Sequence, residues 1–180
     1  MGKLLFIKSF INSPDTIGSI TPSSKKLAKK MVSYTTINEN SIIVELGAGT
    51  GVITETICKN VRLNTPLIIF EKDEAFKSQL LKYENSILYE DAFLLANQLE
   101  QFTNKVDYIF CGLPLLNFSR EQTEDLLIQV KKVLKPGGKL IGFQYTPLIF
   151  HRLNKTFNNT NISFEFFNIP PAFIYICEKT

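Results

Sequence analysis

The feature that most constrains this chain is a short apolar segment that runs directly into a glycine-rich turn. Residues 43–51 read Ile-Val-Glu-Leu-Gly-Ala-Gly-Thr-Gly, and a helical pattern follows from about residue 50. Gly47 and Gly49 permit a tight bend and a close approach of the backbone to a ligand, and the unpaired N–H groups that open the next helix point at that ligand. The segment therefore predicts a strand, a binding turn and a helix in a nucleotide-binding βαβ fold.

A second acid stands where such a fold requires one. Glu71 closes the apolar residues 67–70, about 20 residues beyond the turn, where a ribose-binding carboxylate is expected. Glu45, two residues before Gly47, helps to decide between two classes of cofactor, a dinucleotide and S-adenosylmethionine. A carboxylate there would repel the diphosphate of a dinucleotide, whereas the methionine part of S-adenosylmethionine offers it an ammonium partner. We therefore favour S-adenosylmethionine, and the alternative is a turn that only connects strand to helix.

The same segment resembles the first motif of class I methyltransferases, an acid and one further residue followed by Gly-x-Gly-x-Gly. The resemblance implies that Glu71 binds the ribose hydroxyls of S-adenosylmethionine. It also implies that residues 90–92 enclose the adenine and that the Asp91 carboxylate accepts from its exocyclic amine. The cofactor-binding residues expected on this basis are Glu45, Gly47, Ala48, Gly49, Gly51, Glu71, Lys72, Asp91, Ala92, Cys111 and Gly112.

Apolar segments alternate with helical patterns along the chain, which predicts a parallel sheet covered on both faces. Strands are predicted near residues 41–46, 67–71, 86–89, 106–111 and 138–145, and helices near residues 50–60, 74–83, 92–102 and 120–134. Residues 162–169 and 172–178 meet at two prolines, too close together for a helical crossover, so they should pair antiparallel. The expected fold class is α/β, a Rossmann-like class I methyltransferase fold with a mostly parallel seven-stranded sheet and an antiparallel last strand.

Composition limits the classes of protein to which the chain can belong. With 180 residues and 44% hydrophobic content, it can bury one full core. Its three cysteines are scattered and it has one histidine, so we expect neither a disulfide framework nor a metal site. No apolar segment reaches the roughly 18 residues of a spanning helix, and no secretory signal is recognisable. These features predict a cytoplasmic protein.

Positive charge is concentrated at the start of the chain. Residues 1–32 carry six lysines against one aspartate, whereas the net charge of the whole chain is only +3. We interpret residues 1–36 as a basic helical extension and residues 37–180 as the methyltransferase domain. Residues 1–30 are expected to contact a polyanionic surface, either anionic lipid or RNA. The alternative is a solvated face that aids solubility.

Two helices are predicted within this extension. On the first, Leu4, Ile7 and Ile11 fall on one stripe, which favours membrane contact on the inner face of the membrane over a helix that packs across the cofactor. The second would begin with Thr21 as its cap and Pro22 at its first position. Its inward face would consist of Leu27, Ala28 and Met31.

The loop after the fourth strand should line the methyl-transfer site, because ligands of open α/β sheets lie beyond the carboxyl ends of the strands. Enzymes that methylate exocyclic base amines carry an Asn or Asp here, then Pro-Pro or Leu-Pro, then an aromatic residue. The amide or carboxylate accepts from the target amine, and the ring stacks on the base. In this chain both base-specific groups are absent, since the corresponding residues are Gly112, Leu113, Pro114 and Leu115.

Residues 112–118, Gly-Leu-Pro-Leu-Leu-Asn-Phe, resemble instead the bacterial phospholipid N-methyltransferases, which are related to the rRNA adenine dimethylases. Residues 9–14, 17–24 and 144–146 are similar to the same family. The resemblance implies an enzyme that uses S-adenosylmethionine to methylate the amine of a phosphatidylethanolamine-type head group at the membrane surface. The expected substrate-binding residues are Leu113, Pro114, Leu115 and Tyr145.

Methyl transfer from a sulfonium to an amine is an in-line displacement, and positioning and desolvation can supply much of the acceleration. The amine must first lose its proton, and its pKa is about 10. The candidate catalytic residues are Tyr145 and His151, which follow the fifth strand. Tyr145 has a second possible role, in which it orients the phosphate or faces the methylated ammonium. Three other functions remain open: an RNA adenine N-methyltransferase, an enzyme for a small-molecule amine, and a noncatalytic protein that binds S-adenosylmethionine.

Overall fold

The computed structural model describes residues 24–180. They form one seven-stranded sheet with helices on both of its faces. The strands are β1 Ile43–Leu46, β2 Leu67–Phe70, β3 Ser86–Tyr89, β4 Val106–Cys111, β5 Leu134–Gln144, β6 Thr160–Glu165 and β7 Ala172–Glu178. The helices are α1 Lys25–Val32, α2 Val52–Asn60, α3 Glu74–Leu80, α4 Leu95–Gln98, α5 Arg120–Val133 and α6 Phe150–Phe157. Short 3₁₀ turns occupy Ala92–Leu94, Glu100–Phe102 and Pro147–Ile149.

The strand order is β3-β2-β1-β4-β5-β7-β6. The strands from β3 to β5 pair in parallel, whereas β7 is antiparallel to both β5 and β6. This arrangement confirms the predicted α/β fold. The chain reverses its direction of winding at β1, which has β2 on one side and β4 on the other. Such a switch point opens a crevice for ligands at the carboxyl ends of the strands.

The central strands are apolar apart from Glu45 in β1, as expected for a sheet whose two faces are both covered by helices. All residues of β1 and of β2 are buried. Successive side chains of β1 face opposite layers: Val44 and Leu46 pack in the cluster that contains α5 and α6, and Ile43 packs in the cluster that contains α1 and α2. The glycine turn that follows β1 is therefore supported by a sheet packed on both faces.

Helix α1 begins later than the sequence predicted. Ser24 is its N-cap, and the Ser24 hydroxyl accepts from the N–H of Leu27 at 3.1 Å. Thr21, Pro22 and the predicted stripe of residues 4–11 lie outside the described residues. The inward face predicted for the second helix of the extension is confirmed, because three residues of α1 are fully buried: Leu27, Ala28 and Met31.

Three other elements differ from the prediction. Helix α6 was missed, because its apolar face within Phe150–Phe157 is too short to stand out, with Leu153 and Phe157 as its buried residues. Strand β6 ends at Glu165, so residues 166–169 belong to the turn into β7 and not to the strand. Strand β5 starts at Leu134, which pairs with β4 before an irregularity in the register.

Within residues 24–180 no helix combines the length and apolarity needed to cross a bilayer.

Candidate functional site

A cavity of about 800 Å³ opens at the carboxyl ends of β1, β2, β4 and β5. Its volume is typical of sites for small molecules, and it lies at the switch point of the sheet. Most residues predicted to bind cofactor or substrate converge on it. Those that line the cavity are Gly47, Ala48, Gly49, Glu71, Lys72, Asp91, Ala92, Gly112, Leu113, Pro114 and Tyr145.

The glycine turn has a conformation that other residues adopt with strain. Gly47, Gly49 and Gly51 have φ angles of 72°, 53° and 76°, in the left-handed region. The Gly47 N–H donates to the carbonyl of Phe70 at 2.8 Å, which joins the turn to β2. Gly51 does not line the cavity. It is the N-cap of α2, and a Cβ atom there would lie 2.9 Å from Leu80, so Gly51 shapes the turn from behind.

The carboxylate of Glu71 holds the glycine turn in place. One oxygen accepts from the N–H of Gly49 at 2.7 Å, and the other accepts from the N–H of Asp73 at 2.9 Å. Hydrogen bonds to an ionised acceptor are among the strong ones in proteins. Glu71 also lines the cavity, and its oxygens have further lone pairs that can accept from the hydroxyls of a ribose. The residue thus connects the turn, the end of β2 and the expected cofactor.

Glu45 lies behind the glycine turn and not in the cavity. Its side chain faces α2, because it alternates along β1 with Val44 and Leu46, which face the other layer. The Thr54 hydroxyl donates to Glu45 Oε2 at 2.6 Å, while Glu45 Oε1 has no hydrogen-bond partner within the described residues. Burial raises the pKa of Glu45 to about 7. Glu45 therefore supports the turn from beneath, and its contact with a cofactor ammonium stays a prediction.

The end of β3 forms a second wall of the cavity. Asp91 caps the following 3₁₀ turn, and its Oδ1 accepts from the N–H of Phe93 at 2.8 Å. The neighbouring Glu90 is paired with Lys77 at 2.7 Å. The Phe93 ring packs edge to face against Phe118, with 5.0 Å between centroids. An aromatic pair thus stands beside the carboxylate expected to contact adenine.

The loop after β4 packs tightly against the glycine turn. The Gly112 N–H donates to the carbonyl of Leu46 at 2.8 Å. A Cβ atom at Gly112 would lie 2.5 Å from the carbonyl oxygen of Gly47, so this backbone leaves no room for a side chain. From the other side, Gln144 Nε2 donates to the carbonyl of Leu113 at 2.9 Å. The ends of β1, β4 and β5 are thereby fixed relative to one another.

Three further predicted site residues lie outside the cavity. Leu115 is 3% exposed and belongs to the core, because its carbonyl accepts from the Thr123 hydroxyl and the loop turns inward there. Cys111 is buried in β4, and burial raises the pKa of its thiol to about 12. His151 is exposed on the first turn of α6. The structure therefore does not bring these three residues to the cavity that the other predicted site residues line.

Tyr145 lines the cavity just after β5. Its ring packs edge to face against Phe143, with 5.8 Å between centroids. Burial raises the pKa of Tyr145, and a hydrogen bond with the side chain of Asn168 offsets part of that shift. The phenol is therefore protonated at neutral pH, so Tyr145 can donate or accept a hydrogen bond but is not a phenolate base.

Sequence reasoning missed several residues of the cavity wall. They reach the cavity from α3, from the start of α5, from the turn after β3 and from the end of β5, and no local motif marks them. For Phe93, its place two residues after Asp91 was a usable signal. The missed residues include Phe76, Phe93, Gln122 and Phe143.

The fold and this cavity define a class I methyltransferase. The chain belongs to the ubiE/COQ5 methyltransferase family, whose sequence model matches residues 17–170. It is an S-adenosylmethionine-dependent methyltransferase. The residues present fit that cofactor, because a glycine turn and the carboxylates of Glu71 and Asp91 border a cavity of sufficient size.

Similar proteins agree with this assignment. The ornithine lipid N-methyltransferase of Singulisphaera acidiphila is 32% identical over 180 residues, covering 96% of this chain and 94% of that protein. Ribosomal RNA small subunit methyltransferase A of Thermotoga petrophila is 24% identical over 156 residues, covering 79% of this chain and 59% of that protein. The precorrin-6y C5,15-methyltransferase of Geobacter metallireducens superposes with a TM-score of 0.66 over 86% of this chain and 87% of that chain. At 14% identity, this last likeness shows the fold alone. The predicted relationship to lipid N-methyltransferases, with rRNA methyltransferases as more distant relatives, is confirmed.

Proposed function

We propose that this chain transfers methyl groups from S-adenosylmethionine to the primary amine of a membrane lipid head group, of the phosphatidylethanolamine type. The observation that carries the proposal is the chemistry of the acceptor side of the cavity. Most residues of that wall are apolar, and position 112 has no side chain that could recognise a base edge. Ornithine lipid, the substrate named for the relative at 32% identity, also bears a primary amine, so it is the second lipid to test.

The acceptor wall suits an amine that must be uncharged before it reacts. Four apolar residues line this side, Leu113, Pro114, Leu116 and Phe118, together with the amide side chains of Asn117 and Gln122. Burial against apolar groups lowers the pKa of an amine, because the charged form loses its hydration. The wall therefore increases the fraction of neutral amine and excludes water from the site. No side chain has to act as the base in this scheme.

The site must also position the cofactor and the acceptor amine relative to each other. When bound, S-adenosylmethionine supplies the methyl group on a positively charged sulfur. Glu71 and the glycine turn would hold that cofactor, and the backbone of Gly112 and Leu113 would lie where the cofactor meets the acceptor amine. Holding both reactants in line is worth several orders of magnitude in rate. We assign to Tyr145 a substrate-orienting role, in which its ring faces the ammonium of the methylated product.

Residues 1–30 are the proposed contact with anionic lipid. In the part of this segment that the structure describes, Lys25, Lys26 and Lys29 are exposed on α1, and no acidic residue stands in its first turn. Such a surface is attracted to the anionic cytoplasmic leaflet.

An RNA base amine is the second candidate acceptor, and the relationship to ribosomal RNA methyltransferases favours it. Gly112 argues against it. In this backbone a side chain at position 112 would meet the carbonyl oxygen of Gly47, so the Asn or Asp that accepts from a base amine has no room.

The test is methyl transfer to a panel of acceptors presented in detergent micelles or in solution. The panel contains phosphatidylethanolamine, ornithine lipid, phosphoethanolamine and ribosomal RNA. We expect transfer to the two lipids and to neither of the others. Glu71→Gln should reduce transfer strongly, and Glu74→Gln, an exposed glutamate on α3, should preserve it. Methylation of RNA with none of lipid would refute the proposal.

A further inference from the structure

We propose that the turn between β6 and β7 inserts aromatic side chains into an anionic membrane interface and so sets the mouth of the cavity against the bilayer. The inserting residues, here called the aromatic tip, are Phe166, Phe167 and Ile169. They are 74%, 72% and 49% exposed. This inference rests on the proposed function, because it supplies the route by which the cavity reaches a lipid substrate.

The aromatic tip lies at the same edge of the sheet as the cavity. Strand β7 is antiparallel to both β5 and β6, so β5 and β6 run in the same direction. Their carboxyl ends therefore share one edge, where Tyr145 lines the cavity and the turn after Glu165 begins. Leu148, 73% exposed, follows β5 at this edge. In residues 24–180 the two exposed phenylalanines are both in the aromatic tip.

Positive charge lies beside the aromatic tip. Lys26 Nζ is 4.4 Å from the centroid of the Phe167 ring. Lys25 and Lys29 are exposed on the same helix, whose first turn has no acidic residue. Aromatic rings next to lysines are the combination that binds the interface of an anionic bilayer, since the rings enter the boundary of the acyl chains and the cations pair with head groups.

The polar underside of the turn fixes the aromatic tip relative to the cavity. Asn168 is 1% exposed, and its side chain donates to the carbonyl of Pro170 at 2.7 Å and accepts from the N–H of Ser24 at 3.1 Å. Asn168 also forms a hydrogen bond with Tyr145 in the cavity wall. The Phe167 N–H donates to the Glu165 carboxylate at 2.8 Å. The buried Asn168 side chain thus connects the aromatic tip, the cap of α1 and the cavity wall. Insertion of the tip into a membrane would therefore also fix the orientation of the cavity relative to the bilayer.

The chain contains no tryptophan, which allows a direct test. Phe167→Trp in the full chain introduces a single tryptophan at the aromatic tip, whose emission can be excited selectively over that of the tyrosines. With vesicles of phosphatidylethanolamine and phosphatidylglycerol, we expect its emission to shift to shorter wavelength and to be quenched by brominated acyl chains. The control is Leu81→Trp, which should show neither effect. Leu81 is 69% exposed and follows α3 near β3, at the opposite edge of the sheet from β6. An emission maximum that is already short without vesicles, and unchanged by them, would mean that protein covers the tip, and the proposal would be wrong.

A second pair of variants separates this inference from the proposed function. The double variant Phe166→Ser and Phe167→Ser should weaken vesicle binding about tenfold or more, because two aromatic rings are no longer transferred from water into the bilayer interface. Transfer to lipid in micelles should persist, which also shows that the variant folds. Leu81→Ser with Ile128→Ser, also exposed positions, should bind vesicles like the unmodified chain. If the tip variant binds vesicles normally while the unmodified chain methylates lipid, the tip proposal fails and the proposed function stands. If the tip responds to vesicles but lipid is never methylated, the proposed function fails and the tip proposal stands.

Discussion

Replacement of Glu45 by glutamine should change how the stability of the protein depends on pH. In the folded chain this carboxyl holds its proton up to about pH 7, because burial disfavours its charged form, whereas the ordinary value is 4.5. Between these two values the folded state binds more protons than the unfolded state. The free energy of unfolding contributed by Glu45 is therefore fully present below the lower value, falls as pH rises through this window, and levels off above it.

The size of the effect follows from the separation of the two pKa values. A separation from 4.5 to about 7 corresponds to about 3 kcal/mol. Glutamine cannot ionise and has nearly the same shape, and its amide oxygen can still accept from Thr54. The Glu45→Gln variant should thus gain stability relative to the unmodified chain as pH rises, by about 3 kcal/mol in total.

The assay is urea denaturation of both chains at several pH values between about 5 and 8, with the free energy of unfolding taken from linear extrapolation. Glu100→Gln, at an exposed glutamate, is the matched control and should show no such trend. A difference between Glu45→Gln and the unmodified chain that stays constant across this range would refute the reasoning. It would mean that Glu45 is ionised in the folded protein despite its burial.

Three further changes test the geometry of the site. Gly112→Ala should lower the affinity for S-adenosylhomocysteine at least about tenfold in calorimetric titration, because the added Cβ atom would displace Gly47. The control is Gly142→Ala, whose Cβ atom would lie 3.6 Å from Cys111, and it should keep that affinity. Equal affinities would contradict the tight packing of the two loops. Leu115→Ala should reduce the free energy of unfolding in urea by about 2–5 kcal/mol, and Asn117→Ala, at an exposed neighbour, should change it by less than about 0.5 kcal/mol. A small loss of stability in Leu115→Ala would indicate that this side chain lies in the cavity wall and not in the core. Finally, kcat/KM for a lipid amine should rise with pH as the neutral amine becomes more abundant, and Tyr145→Phe should keep the same profile. Loss of the pH dependence in that variant would identify Tyr145 as the base.

Much of the fold could be predicted because the sequence signals for it are local. The apolar residues of β2, and those of β1 other than Glu45, indicate strands covered on both faces. The short spacing at the two prolines before β7 excludes a helical crossover. The distance from the glycine turn to Glu71 reflects one complete βαβ unit, so it identified a residue that does reach the cavity. These features depend on chain geometry over short stretches, and the structure agrees with them.

The sequence did not reveal the direction in which some side chains point or the contacts between distant elements. Glu45 alternates with Leu46 along β1, and that alternation was a signal that its side chain faces α2 and not the cavity. Leu113, Leu115 and Leu116 are equally apolar, and only the inward turn of the loop onto Thr123 decides which of them enters the core. Phe76 and Phe143 meet at the cavity through the packing of α3 and β5, which no local pattern specifies.

The measurement that tests the central claim most directly is transfer of a labelled methyl group from S-adenosylmethionine to lipid in vesicles of phosphatidylethanolamine and phosphatidylglycerol, followed by hydrolysis and identification of the head group. The account predicts label on the nitrogen of the released amine, with strong loss of label in Glu71→Gln and retention in Glu74→Gln. Absence of label from the lipid amine, while the protein binds S-adenosylhomocysteine, would contradict it.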